Sequence, residues 1–449
     1  MFVEYSLHED FRNAQRIQGP DALAGSDFTA KLDLRNLPVG EELFYRVSFR
    51  DLEQIERFSA PVTGRLLTAS EEAKDVSFAW SGDTAGQGWG IDATRGGMKT
   101  FETMRQLRPD FFVHSGDICY SDGPFSSEVT LDDGSLWKNL VTEGTSKVAE
   151  TLDEFRANFR YNMLDENVRK FQAEVPVLAQ WDDHETTNNW YPGEQLLGDD
   201  RYKVKSASLL AARARQAFWE YTPTRSSVRN RIFRKISRGP LLDLFFLDLR
   251  SFRGANSPNR QAERGPETAF LGTKQIAWLK RQLKSSNATW KFICSDMPIG
   301  LIVGDGKNFE ASSNGDGPVL GREHEIADLL RFIKQQDVKN IVFITADVHY
   351  AASHHYAPDR AQFTDFNPFW EFVSGPLHAG TFGPGKLDDT FGPEVRFNSL
   401  PTGTKQNRPP SEGLQFFGLV KLNAADKTAQ IEHLNRDGEK LWETTLDPK

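Results

Sequence analysis

The sequence predicts an α/β protein, with helices packed outside a buried sheet. Two observations predict it. From Val76 onward, short apolar runs of strand length alternate with stretches of helical period. The runs are also continuously apolar rather than half-polar, as in strands covered on both faces. A third observation concerns chemistry: several of these runs end in Asp and His, and ligands of open α/β folds bind outside the carboxyl ends of strands.

Residues 1 to about 68 read as a separate small β unit. Phe28, Ala30, Leu32 and Leu34 alternate with polar residues, which is strand periodicity. Asn36 to Gly40 supply turn chemistry, and Leu43, Tyr45, Val47 and Phe49 alternate again. The two runs are expected to pair as a hairpin of a sandwich. About three or four strands can be found, where a complete sandwich needs about seven. The unit is therefore expected to be minimal, or to lack its opening strands. From Val76 the apolar runs are Val76–Trp80, Phe111–Val113, Val175–Ala179, Leu241–Leu249, Phe292–Ile293 and Ile341–Thr345. Met98/Phe101/Met104, Ile276/Leu279/Leu283 and Ile326/Leu329/Leu330/Ile333 mark helices between them. The segments 119–147, 186–206 and 253–271 are long, polar and rich in Gly, Asp, Asn and Pro; loops of that length in a compact domain are usually functional.

Composition excludes several functions. Of 449 residues, 54 are Lys or Arg and 63 Asp or Glu, a balance of −9. With no basic run, electrostatic binding to nucleic acid or an anionic membrane is not expected. No stretch approaches the ~18 apolar residues of a bilayer span. Aromatics at 12% exclude a disordered chain. Two cysteines, Cys119 and Cys294, exclude a disulfide scaffold and a cysteine-rich zinc site. Both flank apolar runs and read as buried free thiols, with a single bridge as the alternative. So few cysteines also fit an exported protein. The opening Met1-Phe-Val-Glu-Tyr-Ser6 has no charged n-region followed by an apolar stretch, so no secretory leader is expected here.

Four runs end in metal-ligating residue types. Val76–Trp80 ends in Ser81-Gly-Asp83-Thr, and Phe111–Val113 in His114-Ser-Gly-Asp117-Ile-Cys-Tyr120. Val175–Ala179 ends in Gln180-Trp-Asp182-Asp183-His184-Glu185, and Ile341–Thr345 in Ala346-Asp347-Val-His349. The pattern places all four at the same edge of one sheet. Any one Gly-Asp could be simple strand-end punctuation. Gathered together, these carboxylates would repel one another unless cations held them. Carboxylate, phenolate and imidazole suit hard metals. Asp83, Asp117, Asp183, Asp347 and an ionised Tyr120 carry five negative charges, which a trivalent and a divalent cation would cancel. Phenolate is a natural partner of ferric iron.

These blocks, in this order, resemble the calcineurin-like metallophosphoesterase superfamily and, within it, the PhoD-like alkaline phosphatase/phosphodiesterase family. Gly82-Asp83-Thr84 resembles the first block of that pattern. Gly116-Asp117-Ile-Cys-Tyr120 resembles the second in its purple-acid-phosphatase form. Trp181-Asp-Asp-His-Glu185 stands where Gly-Asn-His-Glu would, and Asp347-Val-His349 where the last His-x-His would. Asp243–Arg253 and Leu271–Leu279 also look like the family, and the likeness covers roughly residues 70–445.

The resemblance implies a four-layer α/β/β/α sandwich over residues 69–449, preceded by a partial fibronectin-like domain over 1–68. It implies a hydrolase of phosphate monoesters and diesters that uses a hydroxide held between two metals. Asp83, Asp117, Tyr120 and His349 would hold one ion, ferric by preference. Asp117, Asp183 and Asp347 would hold the second. Here Asp183 and Asp347 replace an amide and an imidazole of the wider superfamily, which favours Ca²⁺, with Zn²⁺, Mn²⁺ or Mg²⁺ as alternatives. Asp83 stands where the best-known PhoD proteins carry Cys. His184 would orient the phosphate or protonate the leaving group, with Asp182 and Glu185 supporting it. Asn188, Asn189, His354, His355 and His378 could meet the substrate at the rim. Arg250 and Arg253 read either as phosphate contacts or as structural partners of Asp248, and His114 as core. The expected partners are small phosphate esters, and a monomer is expected. A periplasmic or secreted location follows from the family, with the cytoplasm left open. A specialised diesterase of phospholipase D or nucleotide type could use the same site. A non-enzymatic binding module would predict broken ligand blocks, and none is broken.

Overall fold

The structure, a computed structural model, describes residues 1–225 and 231–449. Its first four strands, β1 (Phe2–Ser6), β2 (Gln15–Gln18), β3 (Glu42–Ser48) and β4 (Val62–Leu67), form an antiparallel sheet of order β2-β1-β3-β4. The alternation of Leu43, Tyr45 and Val47 is that of β3. The alternation at 28–34 misleads, because that segment is not a strand. Asp27 and Phe28 take left-handed φ of 50° and 56°, which a strand does not contain. Ala30, Leu32 and Leu34 instead line a cavity against Ile118, Phe159 and Val177. Lys31 and Asp33 line it too and all five residues are half-buried alike, so the alternation in sequence has no counterpart in burial, and β3 pairs with β1 and β4 rather than in the expected hairpin.

The chain continues with β5 (Val76–Ser81), α1 (Lys99–Gln106), β6 (Phe111–Ser115), the short β7 (Glu128–Thr130) and β8 (Leu136–Lys138), α2 (Leu152–Asn162), α3 (Glu166–Glu174), β9 (Val177–Gln180) and α4 (Ala207–Tyr221). Side-chain caps start three of these helices: Thr151 with Glu154 forms a capping box on α2, while Asp165 and Ser206 cap α3 and α4. Then follow β10 (Arg234–Arg238), β11 (Leu242–Phe246), α5 (Thr273–Ser285), β12 (Trp290–Cys294), the two-residue β13 (Gly304–Asp305) and β14 (Asn308–Phe309), and α6 (Glu323–Gln335). Last come β15 (Ile341–Thr345), β16 (Ala352–Tyr356), β17 (Phe369–Val373), β18 (Pro393–Asn398), β19 (Phe416–Leu422), β20 (Ala429–Asn435) and β21 (Lys440–Leu446).

Two mixed sheets organise this region, with orders β21-β20-β19-β5-β6-β9 and β10-β11-β12-β15-β17-β16-β18. Strand periodicity explains how they pack. Phe78 and Trp80 of β5 join Leu242, Leu244, Phe246, Phe292 and Ile344 in one apolar cluster between the sheets. The alternate residues face the other way. Ala79 and Phe112 pack with Phe101 of α1 and Phe171 of α3, while Phe245, Ile293 and Phe343 pack with Leu279 of α5 and Leu330 of α6. Each central strand is therefore buried on both faces, as its unbroken apolar run requires. Cys119 and Cys294 are buried free thiols. No helix among the described residues is long and apolar enough to cross a membrane.

Candidate metal centre

The acidic blocks converge at strand ends, but from two sheets rather than one. β5, β6 and β9 are neighbouring parallel strands of the first sheet, and their carboxyl ends deliver Asp83, Asp117 and Asp182-Asp183. β15 lies in the second sheet and delivers Asp347 and His349. The backbone turns sharply at each point. Asp83, Asp117, Asp347 and His349 have φ of 60°, 52°, 68° and 62°, a left-handed region costly for residues other than glycine. Hydrogen bonds hold these turns. Asp83 N–H donates to the Gly116 carbonyl at 3.2 Å and Thr84 N–H to that of Asp117 at 2.9 Å. The Asp83 carbonyl accepts N–H groups of Leu377, His378 and Ala379. Gly375 is required there, because a Cβ would collide with the Asp83 carboxylate.

Two groups of potential ligand atoms result, each within 4.8 Å: Asp83, Asp117 and His349, and Asp117, Asp183 and His184. Asp117 belongs to both. Tyr120 Oη lies 3.0 Å from His349 Nε2, so the phenol joins the first group. His349 Nδ1 is 2.5 Å from the Gly380 carbonyl, which fixes that nitrogen as the donor and turns the Nε2 lone pair toward Tyr120 and Asp83. His184 stacks on Tyr120 with centroids 4.2 Å apart. Its Nδ1 meets Asp122 Oδ1 at 2.8 Å, and its Nε2 lies 4.0 Å from Asp183.

Burial first, then neighbouring carboxylates, raises Asp83, Asp117 and Asp347 well above the ordinary carboxylate range. Tyr120 rises for the same reasons, burial and then the charges of Asp117 and Asp83. Burial lowers His349 to about 4 and so keeps it neutral. Burial also works to lower His184, but the charges of Asp122 and Asp183 outweigh it and raise the ring to about 10. For Asp183 burial works upward, yet His184 and Arg250 leave it below the usual range.

The sequence profile of the PhoD-like phosphatases matches residues 78–433, which hold all of these blocks. The chain belongs to the PhoD-like phosphatase family. Alkaline phosphatase D of Bacillus subtilis (strain 168) is 28% identical over 310 residues, 65% of this chain and 50% of that protein. The chain thus spans about half the length of that relative. A solved structure of PhoD matches with a TM-score of 0.69 and 19% identity, over 99% of this chain and 81% of that one. Purple acid phosphatase PPD1 from yellow lupin (Lupinus luteus) seeds matches with a TM-score of 0.56 and 13% identity, over 99% and 69%. Both structures share the mixed α/β fold.

In this PhoD-like chain the donor set fits hard cations. Asp83 Oδ2, Asp183 Oδ1 and Asp347 Oδ2 are buried without a hydrogen-bond partner. Such oxygens cost several kcal/mol unless a cation or proton meets them. Asn189 N–H donates to Asp183 Oδ2 at 2.5 Å, and Asn188 N–H to Asp122 Oδ2 at 2.8 Å. Both asparagines thus reach the acids through backbone N–H groups. His354 pairs with Glu371 at 3.1 Å, and the His378 ring meets the Gly90 carbonyl at 3.0 Å against Trp137; neither ring bonds to the acidic blocks. His114 is buried and meets Thr84 Oγ1 at 2.8 Å. Glu185 accepts N–H groups of Ile118 and Asp182, tying the second block to the third.

Arg250 departs from the Asp248 pairing. Asp248 accepts the backbone N–H of Arg250 and Ser251 and the Trp181 indole N–H. The buried guanidinium turns instead to Asp182, with Nε–Oδ1 at 2.6 Å, and to Glu310. It also lies 3.8–3.9 Å from Asp296, Asp183 and Asp347. Asp122, Asp296 and Glu310 were not singled out from the sequence. Asp122 lies two residues beyond Tyr120, and Asp296 follows the β12 run as Asp83 follows β5, so both had a signal. Glu310 lies in a loop with none.

Proposed function

We propose that this chain is a two-cation hydrolase of phosphate monoesters and diesters. The observation that carries the reading is Asp117, a single carboxylate shared by two groups of buried oxygen and imidazole donors. Asp83, Asp117, Tyr120 and His349 would hold one ion, with ferric iron favoured by the phenol. Asp117, Asp183 and Asp347 would hold a second, with Ca²⁺ favoured by the all-carboxylate set. When bound, two such cations would supply a water of lowered pKa and positive charge for the phosphoryl oxygens. The protein's own part is positional. The His349–Gly380 contact presents one nitrogen to the first ion. Asp122 would hold His184 by Nδ1 and leave Nε2 facing the site. His184 is therefore the proton donor to the leaving alkoxide, or the donor that orients the phosphoryl group. Its stacking on Tyr120 sets the ring plane.

The paired sheets with helices on their outer faces support a four-layer α/β/β/α arrangement over residues 69–449. The small N-terminal sheet supports a partial fibronectin-like unit over 1–68. The family likeness favours a periplasmic or secreted setting. The deciding experiment combines elemental analysis with turnover of p-nitrophenyl phosphate and bis-p-nitrophenyl phosphate. Wild type is expected to carry two metal ions and cleave both substrates. Asp117→Asn is expected to lose both ions and turnover. Full activity in Asp117→Asn would sink the two-cation reading.

A further inference from the structure

Two donors of the first group, Tyr120 and His349, are supported by segments remote from them in the chain. Gly86 lies so close to the Tyr120 ring that a Cβ there would collide with it. The next residues close a tight turn, in which the Trp89 N–H donates to the Gly86 carbonyl at 3.0 Å and Gln87 takes a left-handed φ of 59°. On the other side, the Gly380 carbonyl meets His349 Nδ1 at 2.5 Å. The two segments meet on one side chain, Asn407. Its Oδ1 accepts the Trp89 indole N–H at 2.8 Å, and its Nδ2 donates to the Gln87 carbonyl at 3.0 Å. Gly380 abuts the same amide, where a Cβ would strike Asn407 Oδ1.

Chemistry fixes the orientation of this amide. An indole nitrogen can only donate and a carbonyl can only accept, so Oδ1 faces Trp89 and Nδ2 faces Gln87. Asp lacks the donor, and Leu lacks both donor and acceptor. The backbone also suits asparagine, since Asn407 has a left-handed φ of 56°, which Asn tolerates better than most residues. Main-chain bonds place the amide. Thr381 and Arg408 exchange N–H···O bonds of 3.0 and 2.9 Å, joining the residue after Asn407 to the residue after Gly380. The Phe382 N–H then returns to the His349 carbonyl at 3.2 Å. One amide thus touches the support of the phenol and the support of the imidazole, whose Oη and Nε2 lie 3.0 Å apart. The second group has other supports. The Asn189 N–H holds Asp183 at 2.5 Å, and the Arg250 guanidinium lies 3.9 Å from both Asp183 and Asp347.

We propose that Asn407 is a positioning residue that sets the separation of Tyr120 and His349 and, on the two-cation reading above, the affinity of the first ion alone. It acts through the Gly86–Trp89 turn and through Gly380. Such outer supports are typically worth about 10–100-fold in metal affinity.

Asn407→Gly is the main test, because glycine accepts the left-handed φ without strain and the Thr381–Arg408 backbone pairing does not need the side chain. Asn407→Asp keeps the acceptor for Trp89 and loses the donor to Gln87. Two measurements apply to both variants. The first is titration of chelator-stripped protein with Fe³⁺, followed by its visible phenolate band, and with Ca²⁺. Asn407→Gly is expected to weaken the Fe³⁺ site about 10–100-fold and leave the Ca²⁺ site unchanged. Equal weakening of both, the mark of a general loss of stability, would overturn the proposal, and so would no weakening of either. The second measurement needs no cation. Crystal structures of metal-free wild type and variant are expected to show a longer Tyr120 Oη to His349 Nε2 separation in the variant. An unchanged separation overturns the proposal whatever the titrations give. Wild type that takes no ion at Tyr120 would instead sink the two-cation reading, and the crystallographic comparison would still decide the role of Asn407. Should Asn407→Gly fail to fold, the near-isosteric Asn407→Asp is judged by the same two measurements.

Discussion

His184 shows how a residue's chemistry is set by what surrounds it. Burial alone would strip its proton, yet the Asp122 carboxylate at 2.8 Å and the nearby Asp183 keep it. Its identity as a candidate was legible in Asp-Asp-His-Glu; its partner was not, since Asp122 reaches it only through the turn after Tyr120. If His184 donates the leaving-group proton, His184→Ala should retain both ions and lose about 10²–10⁴ in kcat. Asp122→Asn should lower the pH at which activity falls on the alkaline side, because the ring then loses a charge that holds its proton. Turnover with elemental analysis checks the first, and a kcat–pH profile the second. An alkaline limb unmoved in Asp122→Asn would remove His184 from that role. The histidines outside the cluster show the limit of reading single residues. His354 and His378 carry the same side chain as His349, but their rings meet Glu371 and the Gly90 carbonyl, whereas the His349 ring meets Tyr120 and Asp83.

At the scale of elements, the apolar runs at Val76, Phe111, Val175, Leu241, Phe292 and Ile341 were legible as strands because burial on both faces leaves an unambiguous sequence trace. Their division between two sheets was not, since an unbroken apolar strand looks the same beneath a helix or a second sheet. The alternation at 28–34 failed because polar and apolar residues of an irregular segment share one environment there: Ala30 to Leu34 all line a cavity, half-buried alike, and Phe28 is exposed. Because the centre draws on both sheets, something must hold the sheets in register at their carboxyl ends. Arg250, just past β11, does so. Its guanidinium contacts Asp182 and Asp183 from the first sheet and Asp296, Asp347 and Glu310 from the second half of the chain. Arg250→Met would leave those carboxylates facing one another and should cost about 3–5 kcal/mol, as breaking buried pairs does. Arg250→Lys keeps the charge but not the planar fork, so it should cost less and still weaken the second cation. Urea denaturation with and without Ca²⁺ measures both. Wild-type stability in Arg250→Met would show that the sheets need no such clamp.

For the whole molecule, the balance of −9 hides a concentration of acid in the interior. Asp83, Asp117, Asp347 and Asp296 are all raised by burial and then by neighbouring carboxylates, Asp182 among them in each case, and burial raises Glu185 to about 8 and Glu323 to about 9. The direction of the consequence follows from proton linkage. A carboxyl whose folded pKa exceeds its unfolded value of about 4 binds its proton more tightly when folded. The stability it contributes is full below about pH 4 and is lost as pH rises through the folded value. Stripped of cations, the protein should therefore melt at progressively lower temperature between about pH 5 and pH 9. With its cations restored, the carboxylates are neutralised without protons, and the melting temperature should be nearly flat over the same range. The gap between the two curves should widen with pH, because cations compete with protons for the same oxygens. Calorimetric melts at fixed ionic strength, with chelator and with Fe³⁺ and Ca²⁺ restored, make the comparison. Parallel curves would mean that the interior acids titrate without reference to any cation, and that the negative charge of this chain has another purpose.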